Sequence, residues 1–586
     1  MTSIDTILKA IDNGSAANVL TEAHDRALFA RHHEALKAIE TRARKSAAEP
    51  IPTLPFSLHR LFEDTGDRKL FEAPYFARRR ALADYEVCLL AGLDADGSIA
   101  AALGDLLWAI CDEYSWALPA HQTLRRPRPI IIDLFAAETG MYLAEALHLV
   151  GDQIDKRVAD RCRDEIRRRI LDSFLGNYPV EWWERGTNNW GAVCACSVGI
   201  AFLYEEGDPA RRTAALTRVL ATMDAFLSSF PPDGTCMEGS GYWEYGFGFF
   251  SLFADFVHQY TGGAADLFDD PRARRIALFP QNTALSPTRT VSFADGGRFA
   301  SSGSPAKIIL HRHYGESVRL GSSNLAEPSY KPSLLLRSLL WADPGTIEPP
   351  LADRTIFLPD AQWLVVRRAP FAFAALFGNN GAPHNHNDIG SFLLVDGEAE
   401  GPMDLGSGEY TRQYFSAERY SILCNGSQGH SVPIIGGNYQ KDGMRFAARE
   451  VSFAERDGLV LFSADIAGAY DLAGLASLVR AFEVDPEAGR VAIRDSFSFN
   501  GPSLPVTERF VGYAEAEIVA PGEVVFGAFR LRFDPALQVR LAHAPMNGHT
   551  RRHDGRPLDG GTRKVTLLDI EVPAGTVSFA AAFERR

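Results

Sequence analysis

The chain has 586 residues, 46% of them hydrophobic and 23% charged, and its formal net charge is −14 at pH 7. This length predicts two or three domains with sizeable cores, and the residue balance is that of a folded globular protein rather than a disordered or fibrous one. An acidic chain without a basic stripe does not favour nucleic acid as the main partner.

The amino-terminal segment, MTSIDTILKAIDNG, carries early acidic residues and no continuous apolar run, so it does not resemble a secretory signal. No stretch is apolar for long enough to span a bilayer. The seven cysteines are odd in number and form no CxxC pair, which is typical of reduced thiols. We therefore expect a cytoplasmic protein without a membrane partner, or a periplasmic one if a signal has been removed.

Residues 1–345 form the first predicted domain, and their apolar pattern is mostly helical. Apolar residues recur at spacings of three and four in segments 77–93, 141–154, 159–177 and 211–230. Gly and Pro clusters separate these segments at fairly even intervals. Serial helical hairpins of this kind predict a toroid or solenoid whose loops converge on one rim.

Residues 346–586 form the second predicted domain, where the period changes. Short segments such as WLVVRR, FAFAALFG, SFLLVDG and RVAIRDSFSF are rich in Val, Phe and Ile and bounded by turn residues. Helices first and strands afterwards predict an α+β chain with segregated domains, the second one antiparallel. No glycine loop follows a strand in the manner of a nucleotide site, so a nucleotide cofactor is not expected.

The helical half contains several polar and aromatic residues that could line a carbohydrate site. A sugar site needs aromatic rings to stack on and amides or imidazoles to bond hydroxyl groups. For each residue alone a structural role, as a helix cap or a core aromatic, is the more common one. The candidates for the carbohydrate site are Trp116, His121, Asp133, Glu138, Asn188, Asn189, Trp190, Glu238, Tyr242 and Tyr245. A separate basic patch for an acidic sugar is also conceivable at Arg125, Arg126 and Arg128.

In the β half, two histidines, two asparagines and an aspartate follow one another from His384 to Asp388. Such a run favours a loop, because Asn and Asp compete for backbone hydrogen bonds. In an extended loop alternate side chains share a face, which would place His384, His386 and Asp388 together. Asp404 and His430 lie in later segments, and with His386 they form a plausible zinc set.

These residues resemble the heparinase II/III-like polysaccharide lyases, a family that includes oligoalginate lyases. The resemblance rests on HNHNDIGSFLLVDGEAEGPMDLGSGEYTRQYFSAERY, on GHSVP downstream, and on NNW followed by EGSGYWEYG in the first half. It implies an incomplete (α/α) toroid packed on an antiparallel β-sandwich, with the active cleft between them. It also implies β-elimination of a glycosidic bond next to a uronic acid.

The resemblance assigns roles to individual residues. Asn189 or Asn188 matches the amide that neutralises the uronate carboxylate. Tyr242 or Tyr245 matches the tyrosine that acts on the sugar proton and the leaving oxygen, and His384 matches the histidine of the β domain. Where some relatives carry a histidine beside the toroid Asn, this chain has Trp190, and His121 is the best substitute for that second base. Substrate contacts are expected from Trp116, Trp190, Glu238, Asn387 and Tyr420, and one structural Zn²⁺ from His386, Asp404 and His430.

Other functions remain open at this point. A glycoside hydrolase would need two carboxylates across the sugar, with Glu238 and either Asp133 or Glu138 as the pair. A catalytically silent sugar-binding protein would keep the fold alone, and a metal-dependent hydrolase would need an open zinc position. For a lyase we expect a glycosaminoglycan or alginate-type substrate and exolytic cleavage of short chains. A homodimer through exposed strands is also conceivable.

Overall fold

The computed structural model describes residues 3–122, 130–176, 181–300, 304–320, 324–346, 350–549 and 561–586. The basic patch suggested at Arg125, Arg126 and Arg128 lies outside these residues. The helices described are α1 (Ile4–Asp12), α2 (Arg26–Ala30), α3 (His33–Ala48), α4 (Phe56–His59), α5 (Leu61–Thr65), α6 (Lys69–Leu90), α7 (Ser98–Cys111), α8 (Leu134–Val150), α9 (Lys156–Ile166), α10 (Asp172–Gly176), α11 (Asn189–Glu205), α12 (Pro209–Ser228), α13 (Ser240–Tyr242), α14 (Gly248–Tyr260), α15 (Pro271–Ala277), α16 (Phe279–Asn282), α17 (Pro305–Tyr314) and α18 (Pro332–Trp341).

Helix α11 lies at the centre of the helical half, packed against α8, α12 and α14. Its residues are buried almost throughout, and Gly199 allows a close crossing, since a Cβ there would lie 2.7 Å from the Phe253 ring. Asn188 caps its first turn by accepting a hydrogen bond from the Trp190 amide. The burial of α11 therefore fixes the Asn188–Asn189 pair at one end of the helical layer. No described helix is both long and apolar enough to cross a membrane.

The second half is built of antiparallel strands. These are β1 (Arg354–Leu358), β2 (Trp363–Arg368), β3 (Phe371–Leu376), β4 (Asn379–Asn380), β5 (Phe392–Asp396), β6 (Ala399–Glu400), β7 (Pro433–Ile435), β8 (Gly443–Ala447), β9 (Arg449–Arg456), β10 (Leu459–Asp465), β11 (Leu475–Asp485), β12 (Arg490–Phe499), β13 (Val506–Gly512), β14 (Ala516–Ala520), β15 (Glu523–Phe526), β16 (Phe529–Phe533), β17 (Gln538–Asn547), β18 (Thr562–Val572) and β19 (Ser578–Arg585). They form sheets in the orders β1-β2-β3-β5-β6, β14-β15-β16-β19-β12-β11-β10-β9, β17-β18-β13-β7 and β4-β8.

Strand β3 shows how the layers are stacked. Its side chains alternate between the two faces of the sheet. Phe373 lies in the core of the sandwich, with its ring 5.4 Å from that of Phe482 on the long sheet, whereas Ala372 and Ala374 belong to the core of the helical half. The first sheet is thus a middle layer between helices and the long sheet, and the predicted fold class, a helical toroid followed by an antiparallel β-sandwich, is confirmed.

The segment between α16 and α17 binds the helical half to the sheets. Arg289 and Arg298 both donate to the Glu400 carboxylate at the edge of the first sheet. Ser292 Oγ donates to the Asp404 carbonyl at 3.0 Å, and residues 292–296 are buried at the boundary between the two halves. This places Asp295, from the helical half of the sequence, directly against the loop that carries His384.

Candidate active site

The His384–Asp388 loop is held in a compact turn. His384 has a backbone φ of 56°, in the left-handed region that non-glycine residues rarely adopt. Its carbonyl accepts a hydrogen bond from Arg419 at 3.2 Å, and its Nδ1 lies 2.6 Å from Asp295 Oδ2. The first contact holds the backbone and the second orients the ring, which leaves Nε2 without a hydrogen bond among the described residues.

Asp295 is the centre of this arrangement, and its side chain is completely buried. Its two oxygens contact five donor groups, those of His384, His386, Tyr410, Tyr414 and Arg419. Burial alone would raise the pKa of Asp295, but the hydrogen bonds from both histidines and the nearby guanidinium charge bring it well below its ordinary value. Asp295 is therefore ionised and holds His384 in the tautomer protonated on Nδ1.

Two groups from the helical half meet His384 on its other side. The Tyr242 ring stacks on the imidazole with centroids 4.2 Å apart, and its hydroxyl lies 2.9 Å from that of Tyr410. Glu238 Oε2 lies 3.7 Å from His384 Nε2. Burial raises the pKa of Tyr242, so its hydroxyl stays protonated at neutral pH. Burial also raises the pKa of Glu238, to about 7.

Asn189 is buried at the start of α11, beside the turn that carries Tyr242. A Cβ on Gly246 would approach the Asn189 Cβ to 3.1 Å, so a small residue is needed there. Asn188 Oδ1 caps its own helix, and among the described residues no hydrogen bond involves the side-chain NH₂ group of either asparagine. Asn189 is the one that packs against the turn carrying Tyr242.

The structure also separates the two candidate tyrosines. Tyr245 donates a 2.6 Å hydrogen bond to Glu138 Oε1, and Tyr142 donates one of equal length to Oε2 of the same carboxylate. The Tyr245 hydroxyl thus points into the helical layer, while the Tyr242 hydroxyl points to the sheets. Only Tyr242 meets the His384 loop.

Four residues from three segments form a buried cluster behind the loop. Ligand atoms of His386, Asp388, Asp404 and His430 all lie within 4.8 Å of one another. Within the described part of the chain, His386 Nδ1 has no hydrogen-bond partner, and His430 Nδ1 lies 3.0 Å from Asp404 Oδ2. Burial raises the pKa of Asp388 to about 7, although the nearby His430 charge acts in the opposite direction.

The donor set of this cluster fits a divalent metal ion. The other nitrogen of each imidazole is already bonded, His430 Nε2 to the Cys424 carbonyl at 2.9 Å and His386 Nε2 to Asp295 at 3.1 Å. Outer contacts of this kind are what orient histidine ligands. Two imidazoles with two carboxylates suit Zn²⁺ among the common ions. The cluster contains the predicted set, His386, Asp404 and His430, and adds Asp388.

No sequence-family model matches this chain, and no curated protein matches it. Solved structures do match its fold. Heparinase III superposes with a TM-score of 0.61 at 11% identity, over 98% of this chain and 93% of that one. A heparan sulfate lyase HepC mutant from Pedobacter heparinus gives 0.58 at 12%, over 98% and 92%. A chondroitin AC lyase from Streptomyces coelicolor A3 gives 0.54 at 12%, over 99% and 82%. The chain has the fold of these polysaccharide lyases.

Two of the residues expected to contact a substrate, Trp116 and Asn387, are buried in this fold. Trp116 is 1% exposed and its indole nitrogen donates to the Ile110 carbonyl, so its ring belongs to the helical core. Asn387 is 3% exposed and its amide bonds to the Gln440 carbonyl. Apolar or backbone groups cover both side chains. Both were chosen from sequence neighbours, and the neighbours do not reveal which way a side chain points.

His121 and Trp190 lie together but apart from the Tyr242–His384 pair. His121 Nδ1 is 2.7 Å from Asp133 Oδ2, and its ring meets the edge of Trp190 with centroids 4.8 Å apart. No described contact joins either residue to Tyr242 or His384. His121 stays a predicted second base, and it lies against Trp190, which directly follows Asn189 in the sequence.

Tyr420 lies on the sheet side of the boundary, where its hydroxyl donates to Asn385 Oδ1 at 2.8 Å. It supports the loop from behind His384.

Asp295, Tyr410 and Arg419 are the functional residues that sequence reasoning missed. The only sequence signal for Asp295 is an acidic residue directly after the apolar run VSFA, which is weak by itself.

Proposed function

We propose that this protein is a polysaccharide lyase that cleaves uronic-acid-containing glycans by β-elimination. The observation that carries the proposal is the stacked pair of Tyr242 and His384 at the boundary of the two halves, with the unbonded amide of Asn189 on the adjoining helix. The fold supports it, since the matching solved structures are named as heparan sulfate and chondroitin lyases.

The first requirement of the reaction is a more acidic C5 proton. A uronate C5–H becomes removable only when its carboxylate is neutralised, so that charge can spread into the carboxyl group. In this proposal the Asn189 amide donates to that carboxylate. His384 Nε2 then takes the proton, because Asp295 keeps the hydrogen of the neutral imidazole on Nδ1 and leaves the lone pair on Nε2.

The second requirement is an acid for the departing oxygen. As the C5–H electrons form the C4–C5 double bond, the C4–O bond breaks, and the Tyr242 hydroxyl gives its proton to the leaving oxygen. Because burial raises the pKa of Tyr242, its hydroxyl carries its proton before the reaction, which is the form that a general acid needs and a general base does not. The site resets when the imidazolium of His384 returns its proton through water to the Tyr242 phenolate.

The metal cluster has a structural role in this proposal. A Zn²⁺ ion held by His386, Asp388, Asp404 and His430 would neutralise two buried carboxylates and fix the loop. His386 bonds to Asp295, which also bonds to His384, so the metal-binding loop and the base share one carboxylate. The ion would therefore set the position of His384 without contacting the sugar.

A hydrolase lacks the second carboxylate it would need. Glu138 is 2% exposed and accepts hydrogen bonds from two tyrosines, and Asp133 is 1% exposed, caps α8 and bonds His121. Of the three carboxylates considered for hydrolysis, only Glu238 approaches His384. The geometry thus favours elimination over a two-carboxylate mechanism.

The test is incubation with oligosaccharides of heparan sulfate, chondroitin sulfate, hyaluronan and alginate. Elimination creates a conjugated unsaturated uronate, so ultraviolet absorbance should rise with at least one substrate. New reducing ends without that absorbance would indicate hydrolysis instead and would refute the proposal. Product length at early times tests the finer proposal of exolytic action on short chains, for which only small products should form.

A further inference from the structure

Two buried cysteines from different helices are in contact in the helical half. Cys111 is the last residue of α7, and Cys162 lies on the buried face of α9 together with Ala159 and Ile166. Their Sγ atoms are 3.6 Å apart, which is van der Waals contact between two sulfur atoms. All seven cysteines are buried, and within the described residues no other two have sulfur atoms in contact. This pair therefore differs from the remaining thiols.

The residues next to the two cysteines also bond across this helix crossing. Arg161 donates to Asp112 at 2.5 Å, and its guanidinium lies 3.9 Å from the centroid of the Trp108 ring. Trp108 and Asp112 are exposed, so the end of α7 that carries Cys111 is at the protein surface. Two contacts at adjacent positions thus hold the last turn of α7 against α9. Local opening of this one turn is enough to expose both thiols to solvent.

The geometry allows the two sulfur atoms to form a bond. They need to approach each other by roughly 1.5 Å to reach the disulfide length of about 2.05 Å. Rotation of both side chains about χ1 can supply this approach without a shift of either helix. The contact with Cys111 and burial raise the pKa of the Cys162 thiol, so this thiol stays protonated in the folded state. Because the thiolate is the reacting form, we expect oxidation to be slow and to follow local opening.

We propose that Cys111 and Cys162 are an oxidation site, at which a low-molecular-weight disulfide converts the two thiols into a disulfide that ties α7 to α9. The Cys111 thiolate first attacks the external disulfide, which forms a mixed disulfide and releases one thiol. The Cys162 thiolate then attacks the Cys111 sulfur, which forms the protein disulfide and releases the second thiol. The two protons and two electrons that the cysteines lose are thus carried away by the two released thiols.

The bond would stabilise the helical half. It would join positions 51 residues apart and enclose α8 together with His121 and Asp133. A cross-link restricts the unfolded chain, and it does so more strongly for longer loops. Disulfides persist in oxidising compartments and thiols in the cytoplasm, so the state of this pair would depend on where the protein resides. This property is independent of the proposed lyase activity.

The experiment uses the unaltered protein, purified under reducing conditions. One portion is kept in dithiothreitol and the other is incubated with oxidised glutathione, and the free thiols of both are then alkylated with N-ethylmaleimide in denaturant. Intact mass should show seven alkylated cysteines in the reduced portion and two fewer in the oxidised one. Peptide mapping of the oxidised portion should identify a cross-link between Cys111 and Cys162.

Cys88→Ala is the matched control, because Cys88 is equally buried on α6 but touches no other described sulfur. This variant should still form the cross-link, whereas Cys111→Ala should form none. Thermal unfolding followed by circular dichroism gives a second measurement. The oxidised protein should melt about 4–8 °C higher than the reduced one, and dithiothreitol should reverse the shift. Cys111→Ala should show no such shift on oxidation.

Seven alkylated cysteines after oxidation of the folded protein would overturn the inference, and so would cross-links that join other cysteines. A cross-linked protein that melts no higher than the reduced one would also contradict it, since the bond would then not fit the native packing of α7 on α9. Ultraviolet elimination assays play no part in these measurements. The oxidation site and the lyase proposal can therefore fail separately.

Discussion

Replacement of Asp295 by Asn tests the centre of the proposed site. The two side chains have the same shape, but the amide turns one acceptor oxygen into a donor. Tyr414, His386 and Arg419 face Oδ1, while His384 and Tyr410 face Oδ2. In either orientation the new NH₂ group opposes at least two donors, and Arg419 loses its buried counterion.

The structure indicates how much stability and how much elimination rate the Asp295→Asn variant should lose. Breaking a buried charge pair from one side typically lowers the free energy of unfolding by about 3–5 kcal/mol, and we expect a loss in this range. His384 loses the acceptor that keeps its hydrogen on Nδ1, so the fraction of rings with a free Nε2 falls. The elimination rate should then drop by about 10²–10⁴-fold, the usual contribution of a general base.

The assay combines ultraviolet kinetics with thermal unfolding, and Asp84→Asn is the matched control. Asp84 is also buried and accepts two hydrogen bonds from Arg42, but it lies within the helical half away from the cleft. The control should lose stability and keep its rate per folded molecule. If Asp295→Asn unfolds more easily yet turns over at the normal rate, then Asp295 does not orient the base and the reasoning is wrong.

Three further predictions follow from the same site. Tyr242→Phe should abolish elimination, whereas Tyr245→Phe should retain measurable turnover in the same assay, because only the Tyr242 hydroxyl meets the sheet loop. His386→Ala should lose its metal in elemental analysis and melt at a lower temperature, and metal content equal to that of the unaltered protein would contradict the cluster. Glu238 has a pKa raised from 4.5 to about 7 by burial, so the stability it contributes is complete below pH 4.5 and is lost as pH rises through about 7. Chemical unfolding of Glu238→Gln across this range should lack that pH-dependent loss.

The sequence alone was sufficient for the order of the two halves and for the polar loop. Apolar residues spaced three and four apart indicate helices, and short segments rich in β-branched residues indicate strands. Both patterns are local, so each could be recognised without knowledge of tertiary contacts. The dense run from His384 to Asp388 was conspicuous for the same reason. Two histidines and an aspartate with the residue types of a zinc site could also be named from their chemistry.

Tertiary structure decided how these groups are used. Asp295 lies 89 positions before His384 in the sequence, and only the docking of residues 292–296 onto the sheets brings their side chains to 2.6 Å. Tyr242 and Tyr245 point in different directions, and their three-residue spacing in the sequence does not reveal which of the two faces the sheets. Trp116 had the right residue type but faces the core, since direction is set by packing.

The proposed active site thus combines the His384–Asp388 loop, which is recognisable in the sequence, with the Asp295 carboxylate, which is not. Local patterns encode what each segment can form, while burial and docking decide which side chains meet and which charges remain unpaired. Asp295 shows the second kind of information most clearly, since nothing around it in the sequence indicates that two histidines will bond to its carboxylate.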